Sequence, residues 1–233
     1  MFAPWEVDFA SMIKRIVCLG NSYKNGGRCI AGVEVVENDG AYTLVTRNGN
    51  PVWIRPVMYN PEQGIPTCIA GDFKLLDVLE VDLMGGIIDG SHTEDICFRS
   101  IKKVGNVPMT EQVMSLFCDK THKTLFGNRG KSLNKEEFRV GSYSVMLIKP
   151  ENPVFVTTID PFSCKKKCRV HFEYEGIQYD LPVTDPVYLD IMQRSAKARF
   201  SRQTGEVYMV ISLGVEYQLQ HYKLAAGIFD LAA

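Results

Sequence analysis

Apolar and polar residues alternate with a period of two through most of this 233-residue chain. That period places successive side chains on opposite faces of an extended backbone, and it is typical of strands that bury one face. Only the segments 108–117 and 186–193 change to helical spacing. We therefore expect an all-β protein with minor helices. The predicted strands are 13–19, 29–36, the two runs that flank Asn48-Gly49, 75–83, 96–104, 143–148, 170–174, 177–183, 206–213 and 222–229.

The strands fall into two groups of similar content. Each half of the chain holds several strands and one short helix, which suits a small β-barrel. The stretch 127–141 between the halves is polar and contains glycine, as is typical of a domain boundary. We expect a poorly patterned segment at 1–11, a first barrel at 12–127 and a second barrel at 140–233.

One hairpin is predicted with particular clarity. Asn48-Gly49 lies between alternating runs, and a type I′ turn needs positive φ at both central residues. On the returning strand the alternation puts Trp53 and Arg55 on the same face. An exposed ring beside a guanidinium group can stack a nucleobase and hold a phosphate. We predict both as nucleic-acid contacts; the alternatives are a Trp packed under a loop and an Arg in a salt bridge.

Composition limits the classes of function. Hydrophobic residues make up 45% of the chain and charged residues 23%, as in ordinary globular proteins. No apolar run approaches the roughly 20 residues of a membrane helix, and the N-terminus lacks the pattern of a signal peptide. Seven cysteines without tight spacing predict reduced thiols in a cytoplasmic protein. The net charge of −1 does not favour nucleic-acid binding by itself, although basic and acidic blocks alternate along the chain.

Short motifs follow one another in a characteristic order between residues 12 and 229. They are 14–19, 21–29, Trp53-Ile54-Arg55-Pro56, Leu76-Asp77-Val78, Lys103-Val104-Gly105, 179–186, Ser212-Leu213-Gly214 and 222–227. Together they resemble the prokaryotic dual OB-domain family. The resemblance implies two OB-like barrels in tandem, nucleic-acid binding, and a place in bacterial conflict and defence loci. Val215 departs from the pattern, because the resemblance leads us to expect an acidic residue after Gly214.

The segment 21–28 is a second candidate for ligand contact. It joins two predicted strands and carries two glycines, which let a backbone approach a ligand closely. Exposed N–H groups, together with Asn21, Lys24 and Arg28, could cradle a phosphate. The alternative is a connecting loop made soluble by its polar residues.

Two basic runs lie in the second half. Lys165 and Lys167 belong to the densest one, 165–169, and 197–202 holds a similar cluster. Solvated turns are the common explanation of such runs. Phosphate contacts are the functional alternative, and they would make binding fall with salt.

Metal sites and enzyme chemistry have weaker signals. Cysteines and a histidine at Cys118, His122, Cys164 and Cys168 have the residue types that zinc favours, but small buried thiols explain them as well. An acidic stretch could form a divalent-metal site for nuclease chemistry, or simply a solvated loop. Its residues are Asp82, Asp89, His92, Glu94 and Asp95. We find no established catalytic motif, and the protein is more readily explained as a non-enzyme.

The sequence thus favours a binding protein. We expect tandem OB-like barrels that bind single-stranded or structured nucleic acid, or a nucleotide, through a basic and aromatic face. We expect no cofactor, no metal and no membrane. A protein-interaction module of a defence complex, with a partner from the same locus, is one alternative, and a metal-dependent nuclease is the other.

Overall fold

The computed structural model of the chain describes residues 12–60, 62–87, 92–138 and 143–232. Strands dominate it, so the all-β expectation is confirmed, while the segment 1–11 lies outside the described residues. The strands are β1 (Met12–Lys24), β2 (Gly27–Asn38), β3 (Ala41–Leu44), β4 (Thr46–Arg47), β5 (Asn50–Pro51), β6 (Trp53–Val57), β7 (Asp77–Ile87), β8 (Asp95–Asn106), β9 (Ser132–Asn134), β10 (Val145–Ile148), β11 (Glu151–Ile159), β12 (Lys166–Tyr174), β13 (Ile177–Pro182), β14 (Arg199–Ser201), β15 (Val207–Tyr217) and β16 (Gln220–Asp230). The helices are α1 (Thr67–Ala70), α2 (Glu111–Phe117) and α3 (Pro186–Arg194), with a 3-10 helix at Leu125–Gly127. None of the described helices is long and apolar enough to cross a bilayer.

Five strands of the first half close into a barrel. Going round it, β1 pairs with β2, β2 with β6, β6 with β8, β8 with β7, and β7 again with β1. Only the β6–β8 pair is parallel. Helix α1 connects β6 to β7. This is the five-stranded Greek-key arrangement of an OB barrel.

The second half repeats that order as a half-barrel. Strands β10 and β11 together act as one bent first strand, because β10 pairs with β15 while β11 pairs with β12. Strand β13 then pairs with β12, and β16 pairs with β15. Helix α3 lies between β13 and β15, as α1 lies between β6 and β7. Among the described residues, a single parallel bridge between Val183 and Ala225 joins the two sheets at their other edge, so β13 and β16 leave a gap.

The segment that follows α2 fills this gap. Strand β9 pairs with the start of β16, and Leu125 and Phe126 pack in the core of the second barrel. Lys223 is fully buried there and donates to the Asn128 carbonyl and side-chain oxygens at 2.9 and 2.6 Å. Burial lowers the pKa of Lys223 to about 8. The residues around the predicted domain boundary are therefore built into the second barrel.

Three apolar clusters form the core. Each barrel encloses one, and a third lies between the barrels. The middle cluster joins Val17 and Leu19 of β1 and Phe117 of α2 to Tyr208 and Val210 of β15. The barrels approach so closely here that a Cβ added to Gly227 would lie 2.2 Å from the Leu19 carbonyl oxygen.

The local turn prediction agrees with the structure. Asn48 and Gly49 both have positive φ, at 52° and 83°, and they connect β4 to β5. The segment 21–28 differs from the expected loop, because β1 runs to Lys24 and β2 begins at Gly27. Only Asn25 and Gly26 turn, since Asn21 and Ser22 are buried within β1 and Asn21 is hydrogen-bonded there.

Strand β11 is not predicted by the alternation. Its register shifts between Glu151 and Val154, where Asn152 has a φ of 48°. A bulge adds a residue and breaks the period of two. The Asn152-Pro153 pair is also typical of a turn.

Candidate functional site

Arg55 is buried instead of exposed. Its side chain forms an ion pair with Asp95, which lies opposite it in the parallel β6–β8 pair. Only 3% of Arg55 is accessible, so this guanidinium cannot reach a ligand phosphate on the surface. The prediction of a cation facing solvent fails because the neighbouring strand supplies a carboxylate at the same register.

Trp53 lies on the face predicted for it, but that face is covered. Ile54 points into the first barrel, whereas Trp53 packs half-buried against the cluster between the barrels. Val33 lies opposite Trp53 on β2 and belongs to the same cluster. The strands that carry ligands in many OB barrels are the second and third, here β2 and β6. In the first barrel their outer face is therefore largely used for packing against the second.

The other predicted contact residues of the first barrel differ in their surroundings. Asn21 is buried and donates to the carbonyl oxygens of Ala70 and Phe73 at 2.9 and 2.7 Å, which is a structural role. Arg28 stacks on Tyr23, with its guanidinium carbon 4.5 Å from the ring centroid. Two of its nitrogens, Nε and Nη1, are buried without a hydrogen-bond partner. Lys24 is half-buried at the end of β1.

The outer face of the second barrel is different, because it lies open. Phe155 and Val170 pair across β11 and β12 and point inward to the core. By alternation the residues between them point outward. One outward row crosses three strands as Arg199, Val156 and Arg169. In the next row Thr158 of β11 pairs with Lys167 of β12.

This face brings the two basic runs of the sequence together. Strand β14 carries Arg199 to one side of β11, and β12 carries Lys167 and Arg169 to the other. Arg199 and Arg169 are two strands apart, a backbone separation of about 10 Å. The runs are distant in sequence, and neither β11, the strand that joins them, nor β14 is among the strands that the alternation predicts. We call this surface the β11–β12–β14 face, defined by Thr158, Lys167, Arg169, Lys197 and Arg199 with Val156 at its centre.

Carboxylates neutralise only part of the β11–β12–β14 face. Lys167 pairs with Asp160, and Arg169 donates to Asp180 at 2.6 Å. Within the described part of the chain, Lys197 and Arg199 form no ion pair, nor does Lys165 at the start of β12. All three side chains are exposed. The face therefore retains positive charge in a protein whose net charge is −1.

Two neighbouring cations have other roles. Lys166 donates to the Gln193 carbonyl in the last turn of α3 at 2.5 Å, where a positive charge stabilises a helix end. Arg202 donates to Asp230 at 2.8 Å and stacks over Phe200. Neither is available to a ligand on the β11–β12–β14 face.

The described acidic residues of the proposed nuclease site form hydrogen bonds and ion pairs with other groups of the protein. Glu94 accepts hydrogen bonds from the Ser144 backbone N–H and hydroxyl at 2.6 and 2.9 Å, which ties the two barrels together. Asp95 pairs with Arg55, and Asp82 lies 3.7 Å from Arg99. Burial, Arg55 and His221 lower the pKa of His92 to about 2. The fifth residue, Asp89, lies outside the described residues.

The cysteine and histidine candidates also stay apart. His122 bonds to Asp119 at 2.6 Å, and Cys168 is buried in the second barrel while Cys164 is exposed. Burial raises the pKa of Cys118 to about 12, so it is a thiol at neutral pH. In the ranges that the structure describes, no three His, Cys, Asp or Glu residues converge in a way that could hold a metal ion.

Comparison with known proteins supports the fold. No curated protein matches the chain. Among solved structures, a murine DNA-binding protein bound with double-stranded DNA resembles it at 7% identity and a TM-score of 0.30, over 94% of this chain and 96% of that one. A score of that size supports no argument about function. The family described as "Dual OB-containing domain" matches residues 14–228, nearly the whole chain. The chain therefore belongs to the dual OB-containing domain family.

Proposed function

We propose that this protein binds nucleic acid through the β11–β12–β14 face of its second barrel. The observation that carries the proposal is the meeting of two sequence-distant basic runs on one open sheet face. Lysine and arginine side chains that bind phosphates supply most of the affinity of non-specific nucleic-acid binding. OB barrels commonly present the surface of their second and third strands to oligonucleotides, and the β11–β12–β14 face includes the second strand of this barrel, β12.

A second contact region at the first barrel belongs to the same proposal. Tyr23 is 56% exposed, and it holds the Arg28 guanidinium in a stack at the β1–β2 turn. Lys24 lies beside them on β1. A phosphate that reached this turn would meet cations on a rigid hairpin. Trp53, Arg55 and Asn21 are omitted, because each is held by packing or by partners within the protein.

The wider setting is proposed from the family resemblance. It comprises a role in bacterial antiphage defence and a protein partner from the same locus, and cytoplasmic location is added from the seven cysteines without tight spacing. These statements do not depend on the geometry of the β11–β12–β14 face, and the following experiment does not test them.

The double variant Lys197→Ala/Arg199→Ala tests the face. Neither side chain has a carboxylate partner among the described residues, so their loss should leave the fold intact. Fluorescence anisotropy with a labelled oligodeoxythymidylate should show weaker binding. The slope of log K against log salt should fall by roughly 1.4, because each lost phosphate contact on a single strand removes roughly 0.7.

The matched control is Arg99→Ala/Lys102→Ala on β8. It removes the same two charges from exposed positions, but these cations already face Asp82 and Glu80 at 3.7 and 2.9 Å. The control should bind with the wild-type salt slope. Equal losses in the two double variants would mean that only net charge matters, and wild-type binding by Lys197→Ala/Arg199→Ala would overturn the proposed site.

A further inference from the structure

The turn between β11 and β12 holds the most exposed apolar side chain among the described residues. Phe162 is 96% accessible, and Ile159 at the end of β11 is 69% accessible. A large ring that is fully open to water contributes nothing to the core. Large exposed apolar patches with a polar rim mark interaction sites, whereas a single exposed side chain does not, so the surroundings of this ring decide its role.

Hydrogen bonds fix the backbone of the turn that carries this ring. The Asp160 carboxylate accepts hydrogen bonds from the N–H groups of Phe162 and Ser163 at 3.0 and 2.8 Å, and from the Ser163 hydroxyl at 3.0 Å. The Asp160 backbone bonds to Lys165 and Cys164 at 2.9 Å each. Pro161 restricts φ immediately before the ring. A backbone that is already ordered in this way need not be ordered when a ligand binds the ring.

Cations lie in this turn and at its end. Lys167 binds the same Asp160 that organises the turn, which links the turn to the β11–β12–β14 face. Lys165 is exposed and forms no ion pair with any described residue. A ligand that suits this surface has a flat apolar face and negative charges close to it. A nucleotide with an unpaired base has both.

We propose that Phe162 stacks on an unpaired base, so that the ligand of the second barrel is single-stranded nucleic acid. This inference rests on the proposed function. In a duplex each base is covered above and below by its neighbours, whereas a single strand can offer a free base to an aromatic ring. The cations hold the phosphates, and Phe162 distinguishes single strands from duplexes.

The test uses a labelled oligodeoxythymidylate of about 16 nucleotides, the upper limit for one OB fold, and a hairpin duplex of equal length. Phe162→Ala should weaken single-strand binding roughly five- to 150-fold, the range for loss of one base stack. The salt slope should not change, because stacking releases no counterions. Duplex binding should change much less. Ile159→Ala, an apolar truncation on the same hairpin, should bind as the wild type does.

Two further variants separate stacking from general apolar contact. Phe162→Trp should keep the affinity, and the fluorescence of the new indole should be quenched by the bound bases. Phe162→Leu keeps an apolar side chain without a ring face and should behave like Phe162→Ala. Wild-type affinity in Phe162→Leu would overturn stacking and indicate general apolar contact with the oligonucleotide.

The outcomes distinguish this inference from the proposed function. If Lys197→Ala/Arg199→Ala binds weakly while Phe162→Ala binds both probes as the wild type does, the face stands and the stacking role fails. Equal loss of single-strand and duplex binding in Phe162→Ala would also overturn the inference. If the wild type binds neither probe at low salt, both proposals fall.

Discussion

At the scale of single residues, the surroundings decide what each cation can do. Arg55 and Arg199 both lie on short strands, and both carry a charge on the outer side of a sheet. Asp95 lies at the same register as Arg55 and forms a buried ion pair with it, whereas Arg199 lies beside Val156. Removing one partner of a buried pair leaves an uncompensated charge and is strongly destabilising. Arg55 is thus part of the architecture, and Arg199 is free to bind a ligand.

Trp53 can be assigned in the same way. Because it packs half-buried against the cluster between the barrels, Trp53→Ala should lower the free energy of unfolding by about 2 kcal/mol, less than the about 3–5 kcal/mol of a fully buried Trp. Oligonucleotide affinity should be unchanged at a temperature where the variant is folded. Urea unfolding and anisotropy measure the two quantities.

The control for Trp53 is an exposed aromatic residue. Tyr59 is 76% accessible, so Tyr59→Ala should leave the urea midpoint where it is in the wild type. If Trp53→Ala leaves the urea midpoint unchanged and weakens binding, Trp53 has to be assigned to the ligand-binding surface instead.

At the scale of elements, the close approach of β1 and β16 holds the barrels together. A methyl group at Gly227 would meet the Leu19 carbonyl oxygen, so the two backbones leave no room for a side chain. The backbone N–H of Tyr23 also donates to Thr184 at 3.1 Å, at the end of β1. Contacts of this kind fix the relative position of the elements far more closely than apolar packing alone.

Gly227→Ala should therefore destabilise the protein by about 1–3 kcal/mol, the usual cost of inserting a carbon into a packed core. Gly20→Ala is the matched control on the opposite strand. Its added methyl group would have its nearest neighbours at 3.8 Å, which is ordinary contact, so stability should be unchanged or slightly raised. Denaturant unfolding of the two variants gives the comparison, and equal midpoints would contradict the close approach.

Sequence patterns predict the secondary-structure elements better than the contacts between those elements. The turn at Asn48-Gly49, the strands of the two long hairpins of the second half and the two short helices α2 and α3 follow from local residue chemistry. The bulge in β11 hides its period, and with it the register that places Arg199 and Arg169 on either side of Val156. Likewise, the exposed Phe162 carries no local signal, because accessibility is a property of the folded surface. The neutralising partner of Arg55 comes from a parallel strand that the alternation cannot align.

At the scale of the whole molecule, the two barrels have unequal roles. The β2–β6 surface of the first barrel packs against the second through the cluster between them, while the β11–β12–β14 face of the second stays open. In the proposed function the first barrel supports the second, whose β11–β12–β14 face binds the nucleic acid. Local positive charge on that face would let a protein with a net charge of −1 bind a polyanion.

The location of the bound strand is the most direct test of this account. A single-stranded oligonucleotide with a photoreactive base, cross-linked to the wild-type protein and mapped by mass spectrometry of the peptides, reports which surface it touches. We predict cross-links within 158–169 and 197–201, with Phe162 as a main site and one oligonucleotide per chain. Cross-links confined to the first barrel, or their absence under conditions where the strand binds, would contradict the assignment of the second barrel as the binding domain.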